Sequence, residues 1–169
     1  MKICVIQPSY DGSSCDYRHY DPPRDLSPLL PEHEIRHVFV QKISTFSQIQ
    51  ALAREGFDVF VNLCEGYRDS DVPSIDVIQA LEYFDLPFTG PTSTLYDPPK
   101  DLMKRVARWA GVDTPAWVVA DDETGAAEAL AHLRFPMFVK PSGYGDSMGV
   151  DDHAPRSHLS GRTEAKLIA

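Results

Sequence analysis

The chain has little cysteine, no surplus of positive charge and no long apolar run, and each shortage excludes something. Its three cysteines, Cys4, Cys15 and Cys64, stand far apart. An odd, unclustered set points to reduced thiols in a cytoplasmic protein rather than to a disulfide framework. Cys4 and Cys64 sit inside apolar runs, where a small buried side chain is the expected role. Lysine and arginine total 16 against 25 aspartates and glutamates, a net charge of −9. A nucleic-acid partner needs a basic face, so none is expected; a nucleotide needs only a few local cations. No apolar stretch reaches membrane-spanning length, and the N-terminus lacks the basic-then-apolar pattern of an export signal, so no membrane partner is expected. The six histidines show no metal-ligand spacing. His33 and His37 are four apart but flank an expected strand start, where that spacing does not share a face. No metal ligand is therefore assigned.

What is present is an ordinary globular composition: 169 residues, 43% of them apolar, enough for one cored domain or a domain plus a small piece. Apolar runs with strand character fall at residues 2–7, 35–40, 57–64, 87–90, 116–120 and 137–140. Helical spacing falls between them. Phe46, Ile49, Leu52 and Ala53 form one stripe over 45–55, with Gly56 as a stop. Val77, Ala80, Leu81 and Phe84 form another on a helix starting near Val72 or Pro73. Pro98 and Pro99 open a third helix that runs to about Ala110 and ends at Gly111. A fourth, rich in alanine, covers 123–133. Trp109 and Trp117 are expected in the core. Strands that alternate with helices predict an α/β fold with a mainly parallel sheet, in which ligands sit beyond the carboxyl ends of the strands. Polar loops after Gln7, Cys64 and Lys140 lie at that end, and the first of them, 8–31, is long for a plain connection.

The third loop carries the clearest chemistry. FPMFVKPSGYGDSMG, residues 135–149, is a short apolar strand that delivers the Lys140 ammonium to a loop with glycines at Gly143, Gly145 and Gly149. Glycines let backbone N–H groups turn inward without a Cβ clash, and such a concavity suits phosphate oxygens. The lysine adds a point charge. No Gly-Lys-Ser/Thr closes the loop, so it is not a P-loop, and no clear helix follows Gly149 as a dinucleotide fingerprint requires.

In order along the chain come FDVFVNLCEG, a helix, LPFTGPTSTLYDPPKDLMKRVARWAGVDTPAWVV, then LRFPMFVKP and the glycine-serine loop. This order resembles the ATP-grasp ligases, and within them the D-alanine–D-alanine ligase-like group, over residues 2–149. The resemblance implies a Rossmann-like pre-ATP-grasp domain at 1–97, an incomplete ATP-grasp lobe at 98–150 and an irregular tail at 151–169. It implies ATP and magnesium as cofactors. The implied reaction activates a small-molecule carboxylate as an acyl-phosphate, which an amine then attacks. By position, Lys100 matches the family lysine that opens the helix before the ATP lobe and touches phosphate. Lys140 matches the strand lysine on the α- and β-phosphates. Gly143, Gly145, Ser147, Met148 and Gly149 fall on the loop that closes over the γ-phosphate. Gly12, Ser14 and Asp16 match a Gly-x-Ser-x-acid turn whose carboxylate holds the first substrate's amino group. Asp16 and Ser147 are thus the implied catalytic positions.

Several positions depart from the pattern. Asp146 stands where relatives carry serine, and a carboxylate 4 Å from the γ-phosphate would repel it by roughly 1 kcal/mol or more. Asp16 is one methylene shorter than the family's glutamate. The loop 65–71 lacks the family's histidine-glycine start, which points away from a pair of D-alanines as substrates. The tail VDDHAPRSHLSGRTEAKLIA is polar and has no strand pattern. The expectation is a truncated form without the metal-binding catalytic lobe, inactive alone. The alternative is a noncatalytic binding or dimerisation module that uses the Rossmann-like half, with a homodimer as the partner. On residue type alone Lys100, Lys104, Arg105 and Arg108 read as a solvated helix face.

Overall fold

The computed structural model describes residues 1–14, 19–66, 70–143 and the backbone of 166–168. It divides into two compact units, Met1–Tyr96 and Asp97–Ala169.

The first unit is a parallel sheet ordered β2-β1-β3. β1 (Lys2–Pro8) is central, and six of its seven residues are buried, all apolar except Gln7, as a strand covered on both faces requires. β2 (Glu34–Val40) lies at the edge; Glu34, Arg36 and Phe39 are exposed and only Val40 is fully buried. β3 (Val59–Asn62) pairs with the other side of β1, from Ile3 opposite Val59 to Ile6 opposite Asn62. It is shorter than the apolar run 57–64 suggests, since Asn62 turns its side-chain oxygen onto the Cys64 N–H at 3.0 Å. The expected strand at 87–90 is reduced to one parallel bridge, Phe60 to Phe88.

α1 (Thr45–Ala53) and α2 (Ile75–Tyr83) pack on this sheet. Gly56 follows α1 at φ +68°, a left-handed turn that an L side chain resists. α2 begins later than Val72 because Ser74 takes the cap position, where its N–H donates to Asp76 at 2.9 Å. The core joins Cys4, Ile6, Ile49, Phe60, Cys64 and Leu81, so both cysteines take the buried role expected of them. Phe46 does not join the stripe in the core. It is half exposed and packs edge-on against Tyr83 at 5.0 Å.

The second unit has α3 (Lys100–Trp109), β4 (Val118–Ala120), α4 (Glu123–His132), β5 (Val139–Pro141) and β6 (Lys166–Ile168). Here the parallel expectation fails. The sheet is antiparallel and ordered β4-β6-β5. Its central strand comes from the tail expected to be irregular; a run of three residues is too short for periodicity to reveal. Gly125 lets α4 sit close on β4, because a Cβ there would meet Ala120 Cα at 2.7 Å. No helix among the described residues is long and apolar enough to cross a membrane.

Candidate functional site

Two clusters stand out, one in each unit. In the first, the chain leaves β1 toward β2 and leaves β3 in the opposite direction. That reversal opens a crevice at the carboxyl ends of β1 and β3. The loop after β1 is held there twice. The buried Gln7 side chain donates to Arg24 O at 3.0 Å and accepts from Arg24 N at 2.6 Å. Farther along, Gly12 turns the chain at φ +78°. Ser13 Oγ then donates to Asp71 Oδ1 at 2.5 Å, and Ser14 N–H donates to Asp71 Oδ2 at 2.7 Å. Asp71 belongs to the loop after β3, so one carboxylate ties the two loops together. The Ser13 hydroxyl first, and the Ser14 amide second, hold its pKa below the ordinary carboxylate range. Tyr96 Oη donates to Gly66 O at 2.6 Å and pins the same loop farther back. Gly66 has no room for a side chain, since a Cβ would meet Pro73 O at 2.6 Å.

Gly12 and Ser14 therefore lie on a tethered turn, and Asp16 lies outside the described residues. Glu65 is exposed at the start of its loop. A cleft of about 360 Å³ opens beside the turn, with Gln7, Tyr10, Asp11, Asp21 and Phe39 among its walls. Tyr10 Oη donates to Asp21 at 2.8 Å. The Arg24 guanidinium donates to the other Asp21 oxygen at 2.8 Å, so this carboxylate is already neutralised.

The second cluster is basic. β5 ends at Pro141, and the turn of Ser142 and Gly143 follows. The Ser142 carbonyl accepts from the Lys100 backbone N–H at 3.0 Å and from its ammonium at 3.5 Å. Ser142 is buried, and its hydroxyl donates to Asp101 at 3.4 Å. The first turn of α3 is thus bound to the loop that follows Lys140. Burial first, and the Lys140 ammonium second, lower the pKa of Lys100, while Asp97 works against both. Lys104 is lowered in the same way by burial, Lys140 and Arg108. Lys140 itself rests 5.6 Å from the Phe138 ring centroid. A Cβ at Gly143 would meet nothing within 4 Å, so the turn borders open space.

The structure brings Lys100, Lys140 and Gly143 into one neighbourhood. Gly145, Ser147, Met148 and Gly149 lie outside the described residues. Lys104 joins the cluster, which corrects its reading as a solvated charge. A four-residue step along α3 sets it beside Lys100. Trp109 is corrected too: it is 90% exposed, while Trp117 is half-buried beneath Lys104 and Arg108. Asp71 was not legible, because its partners lie 57 and 58 residues away in sequence. Among the described residues, no group of three His, Cys, Asp or Glu is placed to hold a metal ion.

No family model matches the chain. It is 36% identical over 104 residues to a D-alanine–D-alanine ligase of Delftia acidovorans, a match covering 59% of this chain and 30% of that protein. It is 28% identical over 125 residues to a D-alanine–D-alanine ligase of Clostridium botulinum, covering 72% of this chain and 39% of the relative. The chain thus spans well under half the length of these relatives. In fold, D-alanine–D-alanine ligase from Helicobacter pylori superposes with a TM-score of 0.55 at 18% identity, over 99% of this chain and 65% of that one. N5-carboxyaminoimidazole ribonucleotide synthetase from Thermus thermophilus superposes at 0.56 and 14% identity, over 99% and 46%. In sequence the chain is similar to part of these D-alanine–D-alanine ligases, and its α/β fold is that of the two solved ligase and synthetase structures.

Proposed function

We propose that this chain is an ATP-dependent carboxylate–amine ligase homologue in which Lys100, Lys140 and the turn at Gly143 grip the polyphosphate of ATP. The observation that carries this reading is the geometry at the end of β5: the Lys100 N–H and ammonium both bond the Ser142 carbonyl, beside Gly143 and two residues after Lys140. Burial first, and the Lys140 ammonium second, lower the pKa of Lys100 and of Lys104. Like charges held together in a partly desolvated place are unfavourable until an anion joins them. Phosphate oxygens fit: two ammoniums face them as point charges, and the turn at Gly143 leaves them space. ATP supplies the phosphoryl group when bound. This chain's share is to position it and neutralise charge, which is most of what phosphoryl transfer asks of a protein.

Gly145, Ser147, Met148 and Gly149 extend the same cradle in this reading. Asp16 and the turn at Gly12 and Ser14 receive the amino group of the first substrate. The substrates are a small-molecule carboxylate and an amine. The described residues offer no ligand set for magnesium, and no step is assigned to it. The first unit takes the part of the pre-ATP-grasp domain and the second that of the ATP lobe.

Calorimetric titration with ATP and magnesium tests the reading. Saturable binding is expected, weakened at least tenfold, about 1.4 kcal/mol, in Lys100→Ala and in Lys140→Ala. Binding that neither substitution alters would place the nucleotide elsewhere. No binding at all would leave the noncatalytic module as the better account.

A further inference from the structure

The long loop between β1 and β2 leaves and returns over the same end of the first sheet. Its outgoing arm gives Ser9, Tyr10 and Asp11 to the cleft of about 360 Å³, and its returning arm gives Asp21, Pro22 and Pro23. Phe39, paired with Gln7 across the strands, adds a third side. The polar groups of these walls are engaged with one another. Gln7 exchanges two hydrogen bonds with the Arg24 backbone. One Asp21 oxygen accepts from Tyr10 Oη at 2.8 Å, and the other accepts from the Arg24 guanidinium at 2.8 Å. Ser9 N–H donates to Val40 O at 2.7 Å, and Ser9 Oγ accepts from the Asp11 N–H at 3.3 Å. Pro8, Pro22 and Pro23 have no N–H to offer. Phe39 is 44% exposed although it stands on a strand. What the walls present to an occupant is therefore mostly carbon, on a frame that hydrogen bonds hold open.

We propose that this cleft receives the bulky apolar side chain of the first substrate, an amino acid larger than alanine. The proposal rests on the reading that the turn at Gly12 and Ser14 receives that substrate's amino group. Asp11 of the cleft wall runs directly into that turn, so a substrate held there has the cleft beside it. Size and chemistry then choose the side chain. Ligand pockets begin at about 300 Å³, and a methyl group would leave most of this one filled with water. An amide or a charged side chain would lose its hydration and find the polar groups of the walls already paired. A ring or branched chain instead covers Phe39 and the prolines, and it displaces water from surface that cannot hydrogen-bond it. Neither carboxylate calls for a cationic side chain, since Arg24 neutralises Asp21 and the exposed Asp11 stays hydrated. A pocket fixed before binding loses little on ordering, so the apolar contact appears as affinity.

The whole chain, labelled with nitrogen-15, is titrated with each enantiomer of phenylalanine and of alanine while its amide spectrum is followed. One enantiomer of phenylalanine should shift the Ser9, Tyr10 and Phe39 amides saturably, with an affinity at least tenfold above that of alanine. Phe39→Ser, and separately Pro22→Asp on the returning arm, should each weaken phenylalanine at least tenfold. Both positions are exposed, so the rest of the spectrum should remain that of the folded chain. 3-Phenylpropanoate, which lacks the amino group, separates the proposal from the reading beneath it. Should it shift the same amides as tightly as phenylalanine, the cleft stands and the turn's hold on the amino group falls. Alanine bound as tightly as phenylalanine, phenylalanine binding that neither substitution alters, or no shift of these amides would each overturn the cleft as a side-chain pocket.

Discussion

Asp71 joins two loops that leave different strands, and its charge makes the join. Both of its oxygens accept hydrogen bonds from the turn at Ser13 and Ser14. Its pKa is depressed in the folded chain. A depressed carboxylate favours the fold above its unfolded pKa, and that contribution disappears as pH falls through the folded value. The tether should therefore be intact at neutral pH and release only in acid. An NMR titration of the Asp71 side chain checks this. Its midpoint should lie below the ordinary carboxylate range and rise toward it in Ser13→Ala; an unmoved midpoint would show that the hydroxyl does not hold the charge. At this scale the strand position of Lys140 was legible, because an apolar run leads straight into it. Asp71 was not, because hydrogen bonds between distant loops leave no local pattern.

Among the elements, α3 is the instructive case. Its boundaries follow from Pro98, Pro99 and Gly111, and the helix forms where those residues place it. Which way it faces does not follow. Its basic side, Lys100, Lys104 and Arg108, turns onto Ser142 and Trp117. Leu102, Val106 and Trp109 remain exposed, and no residue of the helix is buried. Amphipathic spacing predicts that a helix has two sides, but the aromatic ring and the carbonyl awaiting it decide which side goes in. α4 makes the opposite use of closeness. Gly125→Ala should push it off β4, because the new Cβ would meet Ala120 Cα at 2.7 Å. A loss of about 1–3 kcal/mol is expected from overpacking, less the gain in helix propensity. A urea midpoint read by tryptophan emission measures it, and an unchanged or higher midpoint would mean that the helix relaxes freely.

Across the whole molecule, the two units carry separate reporters. Trp109 and Trp117 lie in the second unit, while Cys4 and Cys64 lie buried in the first. Burial pushes the Cys4 thiol up to about 11 and raises Cys64 well above its ordinary value, so neither should react at neutral pH until its unit opens. Removal of residues 166–169 takes away the central strand of the second sheet. In a Cys15→Ser background, this deletion should lower the denaturant midpoint of tryptophan emission while Cys4 and Cys64 stay protected. Exposure of the thiols at the same midpoint would show one cooperative unit.

By themselves the residues determined the α/β alternation, the buried runs of the first sheet, the helix ends marked by proline and glycine, and the strand that carries Lys140. These are local signals, carried by neighbours in sequence. The tertiary structure alone decided that the second sheet is antiparallel, with a strand from the chain's end at its centre. It also decided that α3 sets Lys100 against Ser142 and Lys104 and Arg108 against Trp117, and that Asp71 closes on a turn far upstream. Strand pairing and loop tethering are settled by contacts across long sequence separations, where composition and periodicity carry no information.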